Sequence, residues 1–257
     1  MLKRKESGEP KSELARGKVM TTKTYLEPEE VELLEGGAVA YDRKERAWKP
    51  CLMYRLLIRL LFRLGCRVSE ALGIAVNDID FKHKRITIQH LKTRIKLSCP
   101  DCGISLSRTA RFCPGCGVRV ENAVREAAEH RRQRSLPIDD ETLEMLKEYI
   151  NGGGLVSTNG KQLLFGFDRR HAWHIVRRCA ERARLGMLVN PETGERRGIS
   201  PHRLRDAFAV NAVKKDDSAD ALRLLQEMLG HKSIETTMRY RKVAGEELER
   251  WYEKLWT

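Results

Sequence analysis

Four cysteines fall in two like segments, Cys99-Pro-Asp-Cys102-Gly103 and Cys113-Pro-Gly-Cys116-Gly117, with ten residues between Cys102 and Cys113. Two knuckles of this kind converge four soft thiolates tetrahedrally on one ion, and zinc is the metal the set suits. The glycine after each pair lets the turn close and leaves backbone amides to bond the sulfurs. Four thiolates leave no open coordination position, so one structural zinc is expected and a catalytic metal is not. The module either staples its own segment or also presents Arg108, Arg111 and Arg119 to a partner. Cys51, Cys66 and Cys179 lie in helical patterns and are expected to be buried, inert thiols.

A second set is scattered along the chain but uniform in chemical type. His202 and Arg205 stand three apart after Pro201 and share a helix face, and Arg67 opens another helix with Glu70 three residues on. His231 follows Gly230, and Tyr240 stands nine residues beyond His231. Taken singly, each reads as a surface or capping residue. Together they supply what phosphoryl transfer needs: cations for non-bridging oxygens, an acid and base pair, and a hydroxyl nucleophile.

The segments LGCRVSEALGI, PHRLRDAFAV and LGHKSIETTMRY resemble, in order, three signature segments of the tyrosine recombinases, the phage integrase family, with Xer-like members nearest in character. The resemblance runs over roughly residues 25–257 and includes the His231 to Tyr240 interval. It implies that Arg67 and Arg205 clamp the scissile phosphate, as planar, permanently charged guanidinium groups can. It further implies that His231 stabilises the same phosphate, that His202 accepts the nucleophile's proton, and that Glu70 buttresses Arg67. Tyr240 matches the nucleophile; its reference pKa of about 10 leaves it protonated near neutrality, so attack needs a base and a cationic pocket. The family's general acid is a lysine on a strand hairpin, which in ITIQHLKTRIKLS is Lys92, with Lys96 the alternative. The cysteine module lies directly beyond Lys92 in sequence and is expected to order that loop over DNA.

The implied activity is site-specific recombination of double-stranded DNA through a 3′-phosphotyrosine intermediate, with neither nucleotide cofactor nor catalytic metal. The same residues also fit relaxation by a type IB topoisomerase-like enzyme, and the fold alone fits a non-catalytic DNA-binding regulator. Intact Arg67, Lys92, His202, Arg205, His231 and Tyr240 argue against the regulator. The resemblance also implies a homo-oligomer, a tetramer on synapsed DNA. Two departures stand out. Many family members carry a helical core-binding domain ahead of the catalytic one, whereas here only about 24 residues precede the first helix; either the arm and the zinc module together or an accessory DNA-binding partner is expected to replace it. Asp206 stands where LRHAF-type motifs often have His, and is expected to modify activity rather than abolish it.

The elements that must position these residues are mostly helical. LEPEEVELLEG carries Pro28 in a first-turn position and starts the folded part. Between Pro50 and Leu64, six leucines recur at helical spacing, with Arg55, Arg59 and Arg63 on another face, and Gly65 ends the helix. A short helix and turn follow over residues 66–80, and residues 85–91 and 132–139 read as strands of one hairpin that encloses the cysteine module. Asp139 or Asp140 caps a helix with Leu143, Leu146 and Ile150; Asp168 caps the next, with Trp173, Val176 and Ala180 inward. Residues 190–194 form a turn, Ser200-Pro201 opens another helix, Ser218 opens one closed by Gly230, and Ser233 starts the helix of Tyr240. A terminal stripe of Leu248, Trp251, Tyr252 and Leu255 packs either on the protein's own core or on a neighbouring protomer. The fold class expected is mainly α with a small antiparallel β-sheet, an α+β catalytic fold with a zinc-ribbon insertion. Its parts are a basic arm over 1–23, a catalytic domain over 24–257 and a ribbon over 97–121.

Composition bounds all of this. The 257 residues carry 49 Lys and Arg against 36 Asp and Glu, a net charge of +13, with 41% hydrophobic residues. That apolar share excludes wholesale disorder, and the charge points to a polyanion. No run of 18 uncharged apolar residues occurs and the N-terminus lacks a signal-peptide pattern. A cytoplasmic, nucleoid-associated protein without membrane partners is the expectation.

Overall fold

The computed structural model describes residues 24–89, 94–107, 110–119, 124–128, 133–190, 193–244, 252, 253, 255 and 256. The arm over 1–23, Lys92, Arg108, Leu248 and Trp251 lie outside the described residues. The described chain forms two compact units, Gln89–Gln133 and the remainder, and the fold class is α+β.

In the larger unit, α1 (Pro28–Gly36) is followed by a hairpin of β1 (Val39–Asp42) and β2 (Ala47–Pro50). Next come α2 (Leu52–Arg63) and the short α3 (Val68–Ala71). Strands β3 (Ile79–Asp80) and β4 (Arg85–Gln89) lead to the smaller unit, which holds β5 (Arg94–Ser98), β6 (Ser105–Leu106) and β7 (Val124–Ala128). The chain returns through β8 (Gln133–Pro137), so that β3, β4 and β8 form one sheet with β4 central. Then follow α4 (Asp140–Asn151), the hairpin β9 (Val156–Thr158) and β10 (Lys161–Leu163), and α5 (Arg169–Arg182). A hairpin of β11 (Leu188–Val189) and β12 (Arg196–Arg197) precedes α6 (Pro201–Lys215), α7 (Ala219–Leu229) and α8 (Ile234–Ala244).

Helix α2 is the hub, packing on α1, α4, α5 and α6. Leu56, Leu57, Ile58, Leu60, Leu61 and Leu64 are fully buried, each contributing about 1.5–3 kcal/mol of transfer free energy. Its arginine face is not solvated throughout. Arg59 is 3% exposed and donates to Glu35, itself 7% exposed, with Nη2 to Oε2 at 2.8 Å, while Nη1 reaches Glu141 at 2.7 Å. A guanidinium in that position is held by its carboxylates, and their pull raises its pKa despite burial. Trp173, expected inward on α5, is 37% exposed under the guanidinium of Arg177; Ala172, Ile175, Val176, Cys179 and Ala180 form the buried stripe instead. Cys66 and Cys179 are buried, and burial pushes both thiols up to about 12. Cys51 is only half-buried, at the start of α2.

A second apolar cluster joins the last three helices: Ala209 and Val213 of α6 meet Leu222, Leu225 and Leu229 of α7, with Met238 and Tyr240 of α8 packed against them. The expected caps hold at Asp139, whose carboxylate accepts from the Thr142 N–H, at Asp168 and at Ser218. Ser200 precedes α6 without a side-chain cap bond, leaving Pro201 to set the first turn. Tyr252 and Leu255 are exposed, at 60% and 53%.

The smaller unit is organised around its cysteines. Cys99 N–H donates to Ile104 O and Gly103 N–H to Cys99 O; Cys113 N–H donates to Val118 O and Gly117 N–H to Cys113 O. The two knuckles therefore repeat one hydrogen-bond pattern. Gly103 and Gly117 take φ of +71° and +73°, a conformation that favours glycine. Around them β5 pairs with β6 and β7, and among the described residues the buried core is Cys99, Leu106 and Cys113, with Leu97 and Ala110 against it.

Candidate active site and metal centre

Two chain reversals in the larger unit help bring residues from 67 to 240 together. Gly65 ends α2 with φ of +55°, and a Cβ there would stand 2.3 Å from Phe208. Gly230 ends α7 in the left-handed region, φ 64° and ψ 41°, where a Cβ would stand 3.0 Å from Arg134 Nη1. These turns expose the carbonyls that hold Arg205. Arg205, 1% exposed on α6, donates Nη1 to Gly65 O and Nη2 to Leu229 O, both at 2.7 Å. Carbonyls at helix C-termini carry partial negative charge and suit a cation. Burial, then the charge of Arg67, draws the Arg205 pKa below its ordinary value.

Arg67 precedes α3. Its backbone N–H donates to Glu70 Oε2 at 2.8 Å and its Nη1 donates to Glu70 Oε1 at 3.0 Å. Glu70 is 3% exposed. A buried carboxylate of this kind requires further partners, and β8 supplies one: Arg134 Nη2 donates to Glu70 Oε2 at 2.7 Å, and its Nε to Met228 O at 2.8 Å. Arg134 was not among the expected site residues. No motif marks it, and only the return of β8 beside α3 gives it a role.

His231 sits in the turn after Gly230. Its Nδ1 lies 2.9 Å from the buried Thr237 hydroxyl, and its ring stacks on Tyr240 at 6.1 Å between centroids and 14° between planes. Burial first, then Arg205, Arg67 and Arg134, lowers its pKa to about 4. It is therefore neutral near pH 7, and if Nδ1 accepts from Thr237, Nε2 is free to donate.

Tyr240 places its ring on the α6–α7 cluster and donates its hydroxyl to Asp206 Oδ1 at 3.0 Å. The other Asp206 oxygen pairs with Arg203 Nη1 at 2.8 Å. Burial, then the Asp206 carboxylate, pushes the Tyr240 phenol up to about 12, with Arg205 opposing. His202, one turn before Asp206 on α6, is exposed and lines an open groove with Arg169, Arg170 and Trp173. Thus Arg67, Glu70, Arg205, His231 and Tyr240 are gathered in one place, while the carboxylate on the phenol is Asp206. Lys92 is outside the described residues; Lys96 lies on β5.

In the smaller unit, the sulfurs of Cys99, Cys102, Cys113 and Cys116 all lie within 4.8 Å of one another. Cys99 and Cys116 stand 3.6 Å apart, Cys102 and Cys113 3.4 Å. Ligands at the usual zinc–sulfur distance on a tetrahedron are about 3.8 Å apart, so the set fits a single four-coordinate ion. Backbone N–H groups of Cys116 and Gly115 pull the Cys113 thiol down to about 6.

Fold and site together define a class. The phage integrase family model matches residues 40–101 and 116–247, and the chain belongs to that family, the tyrosine recombinases. The interval between the matched segments falls inside the four-cysteine module. Among its relatives, the tyrosine recombinase XerD of Corynebacterium glutamicum is 26% identical over 201 residues, covering 76% of this chain and 49% of that protein. That of Bifidobacterium longum is 28% identical over 194 residues, covering 76% and 51%. The chain thus spans about half the length of these relatives. Among solved structures, XerA recombinase superposes with a TM-score of 0.59 at 17% identity, over 93% of this chain and 65% of that one. XerH recombinase bound to its palindromic difH substrate gives 0.57 at 21%, over 90% and 53%. At these identities the likeness is one of fold.

Proposed function

We propose that the protein is a site-specific recombinase that cleaves and rejoins double-stranded DNA through Tyr240. The observation that carries this reading is the half-buried phenol of Tyr240 beside Arg205 and stacked on His231, a ring on which Arg205 and Arg67 both act. Attack of the phenol oxygen on phosphorus places charge on the non-bridging oxygens. Preorganised donors at that position are worth most, because their desolvation is already complete. Arg205 has two N–H groups committed to carbonyls, so its plane is fixed while its other edge serves the phosphate. Arg67 is aimed by Glu70, and Glu70 by Arg134. His231 donates through Nε2.

By family resemblance Lys92 protonates the departing 5′ oxygen. Bond energy is kept in the 3′-phosphotyrosine, so no nucleotide and no catalytic metal enters the scheme. The likeness to the DNA-bound XerH structure supports duplex DNA as substrate, as does the net charge of +13. Assembly as a homo-oligomer on synapsed DNA and a nucleoid location belong to the same reading. A zinc held by the four cysteines would close the two knuckles of the ribbon, whose Arg111 and Arg119 are exposed.

The test compares wild type with Tyr240→Phe on supercoiled plasmid in magnesium-free buffer, followed by detergent denaturation. Covalent protein–DNA adduct and relaxed topoisomers are expected from the wild type and from it alone. Adduct formed equally by the Phe variant removes Tyr240 from the role.

A further inference from the structure

Resting on the recombinase reading, we propose that Asp206, oriented by Arg203, takes the proton of Tyr240 as the tyrosine attacks phosphorus and returns it when the strand is rejoined. The geometry is that of a nucleophile, a base and an orienting group in sequence. The phenol oxygen stands 3.0 Å from Asp206 Oδ1, and Asp206 Oδ2 stands 2.8 Å from Arg203 Nη1. A base must lie within hydrogen-bond reach of the proton it removes, roughly 2.6–3.2 Å, and must itself be held. Among the described residues, the side chains that interact with the Tyr240 hydroxyl are Asp206 and Arg205, and of these only the carboxylate can accept a proton.

Position on the helix supports this. Asp206 is four residues beyond His202, one turn further along the same face of α6. That turn is the difference between a side chain on the phenol and one in the exposed groove beside Arg169. The charged groups that act on the pair are Arg203 and Arg205 from α6 and Arg197 from β12; Arg67 before α3 and Arg134 from β8 act on Arg205 and on the neutral His231 beside Tyr240. Glu70 is already neutralised by Arg67 and Arg134.

The step balances. The Tyr240 oxygen–phosphorus bond forms and the phosphorus–O5′ bond breaks; the phenol proton passes to Asp206, and O5′ takes a proton from the general acid. Rejoining runs the same transfers backwards, with protonated Asp206 delivering its proton to the departing phenolate. A phenol held near 12 is a poor leaving group without that donation.

The experiment measures adduct formation on supercoiled plasmid against pH for wild type, Asp206→Asn, Asp206→His and His202→Gln, with plasmid binding followed in parallel. Asp206→Asn keeps an acceptor oxygen but cannot take the proton. Its rate is expected to fall by about 10²–10⁴-fold with binding retained. Asp206→His is expected to restore part of the rate, its acid limb moved up toward the imidazole range near 6.5. His202→Gln is expected to lose less than Asp206→Asn. An Asp206→Asn enzyme as fast as wild type, or faster, overturns the proposal and makes the carboxylate a restraint instead.

A measurement on the free protein separates this from the recombinase reading. With tyrosine labelled at Cζ, and Tyr240→Phe used to assign the resonance, Asp206→Asn is expected to move the Tyr240 titration to lower pH. A wild type that forms no adduct on plasmid counts against the recombinase reading, whereas an unmoved Tyr240 titration overturns the pairing with Asp206 whatever the plasmid shows.

Discussion

The two units solve the problem of holding a constellation of side chains in opposite ways. In the ribbon, the four clustered cysteines lie within the 18 positions from Cys99 to Cys116, and among the described residues the buried core around them is Cys99, Leu106 and Cys113. In the larger unit, the residues around Tyr240 are drawn from positions 67 to 240, and an extended core built on α2 carries them. Where the clustered side chains are local, an ion held by them would serve as the core; where they are distant, the core must exist first. The ribbon's geometry should therefore depend on a metal, and the Tyr240 pocket should not.

The largest expected effect is metal removal. Structural zinc in small modules binds with apparent free energies of about 10–16 kcal/mol, and that binding is folding free energy. Chelation, or the double variant Cys99→Ser, Cys102→Ser, should collapse amide dispersion in the ribbon while the thermal transition of the larger unit stays in place. A single joint transition that moves on chelation would break the comparison, because the two units would then share one stability.

The next effect tests the core from its polar side. Glu35→Ala leaves the buried Arg59 guanidinium with only the exposed Glu141, and removing one partner of a buried pair costs about 3–5 kcal/mol. Urea denaturation should show that loss in the larger unit, with the zinc affinity of the ribbon unchanged. Smaller still is the cap of α7, the helix whose end supplies the Leu229 carbonyl to Arg205. Ser218→Ala deletes the Oγ acceptor of the Ala221 N–H and should cost about 1 kcal/mol, leaving adduct formation intact if the pocket is held by the core rather than by that helix alone.

What was legible in the sequence divides along the same line. The clustering of the four cysteines could be read directly, since their spacing is itself the geometry. Arg67, Glu70, Arg205, His231 and Tyr240 were legible only as motifs, because each is anchored by local turn chemistry, such as Gly230 before His231. The groups that join those motifs left no local mark. Arg134 is 64 residues from the carboxylate it holds, and Asp206 is 34 from Tyr240. Burial of Arg59 depended on Glu35 in another helix, so periodicity assigned it to the polar face of α2. Trp173 failed differently: its position on α5 borders the buried stripe, and a neighbouring arginine covers it in place of the core. The hairpin of β1 and β2 has no local signature because its turn, Arg43–Arg46, contains no glycine, with Arg46 at φ 51° and Asp42 accepting from the Lys44 and Glu45 N–H groups. Its pairing is reinforced by Tyr41 against Trp48, a contact visible only once the strands are in register.

The smallest effect concerns protons, and there the two sites should respond with opposite sign. A metal ion arriving at thiols displaces protons, so binding at the ribbon tightens as pH rises. An anion arriving at the Tyr240 pocket meets His231, whose pKa in the free protein lies at about 4 because burial and three arginines oppose its charge. A phosphate beside the ring favours the protonated form and raises that value. Between about 4 and the raised value, DNA binding must take up a fraction of a proton, so affinity should fall as pH rises through that window, by less than one log unit per pH unit. Calorimetry with a short duplex, in two buffers of different ionisation enthalpy, reads the uptake directly, and His231→Asn should abolish it. Uptake that persists in His231→Asn would assign the proton to another group in the pocket, while release of protons in the wild type would mean that the arriving phosphate does not contact His231 at all.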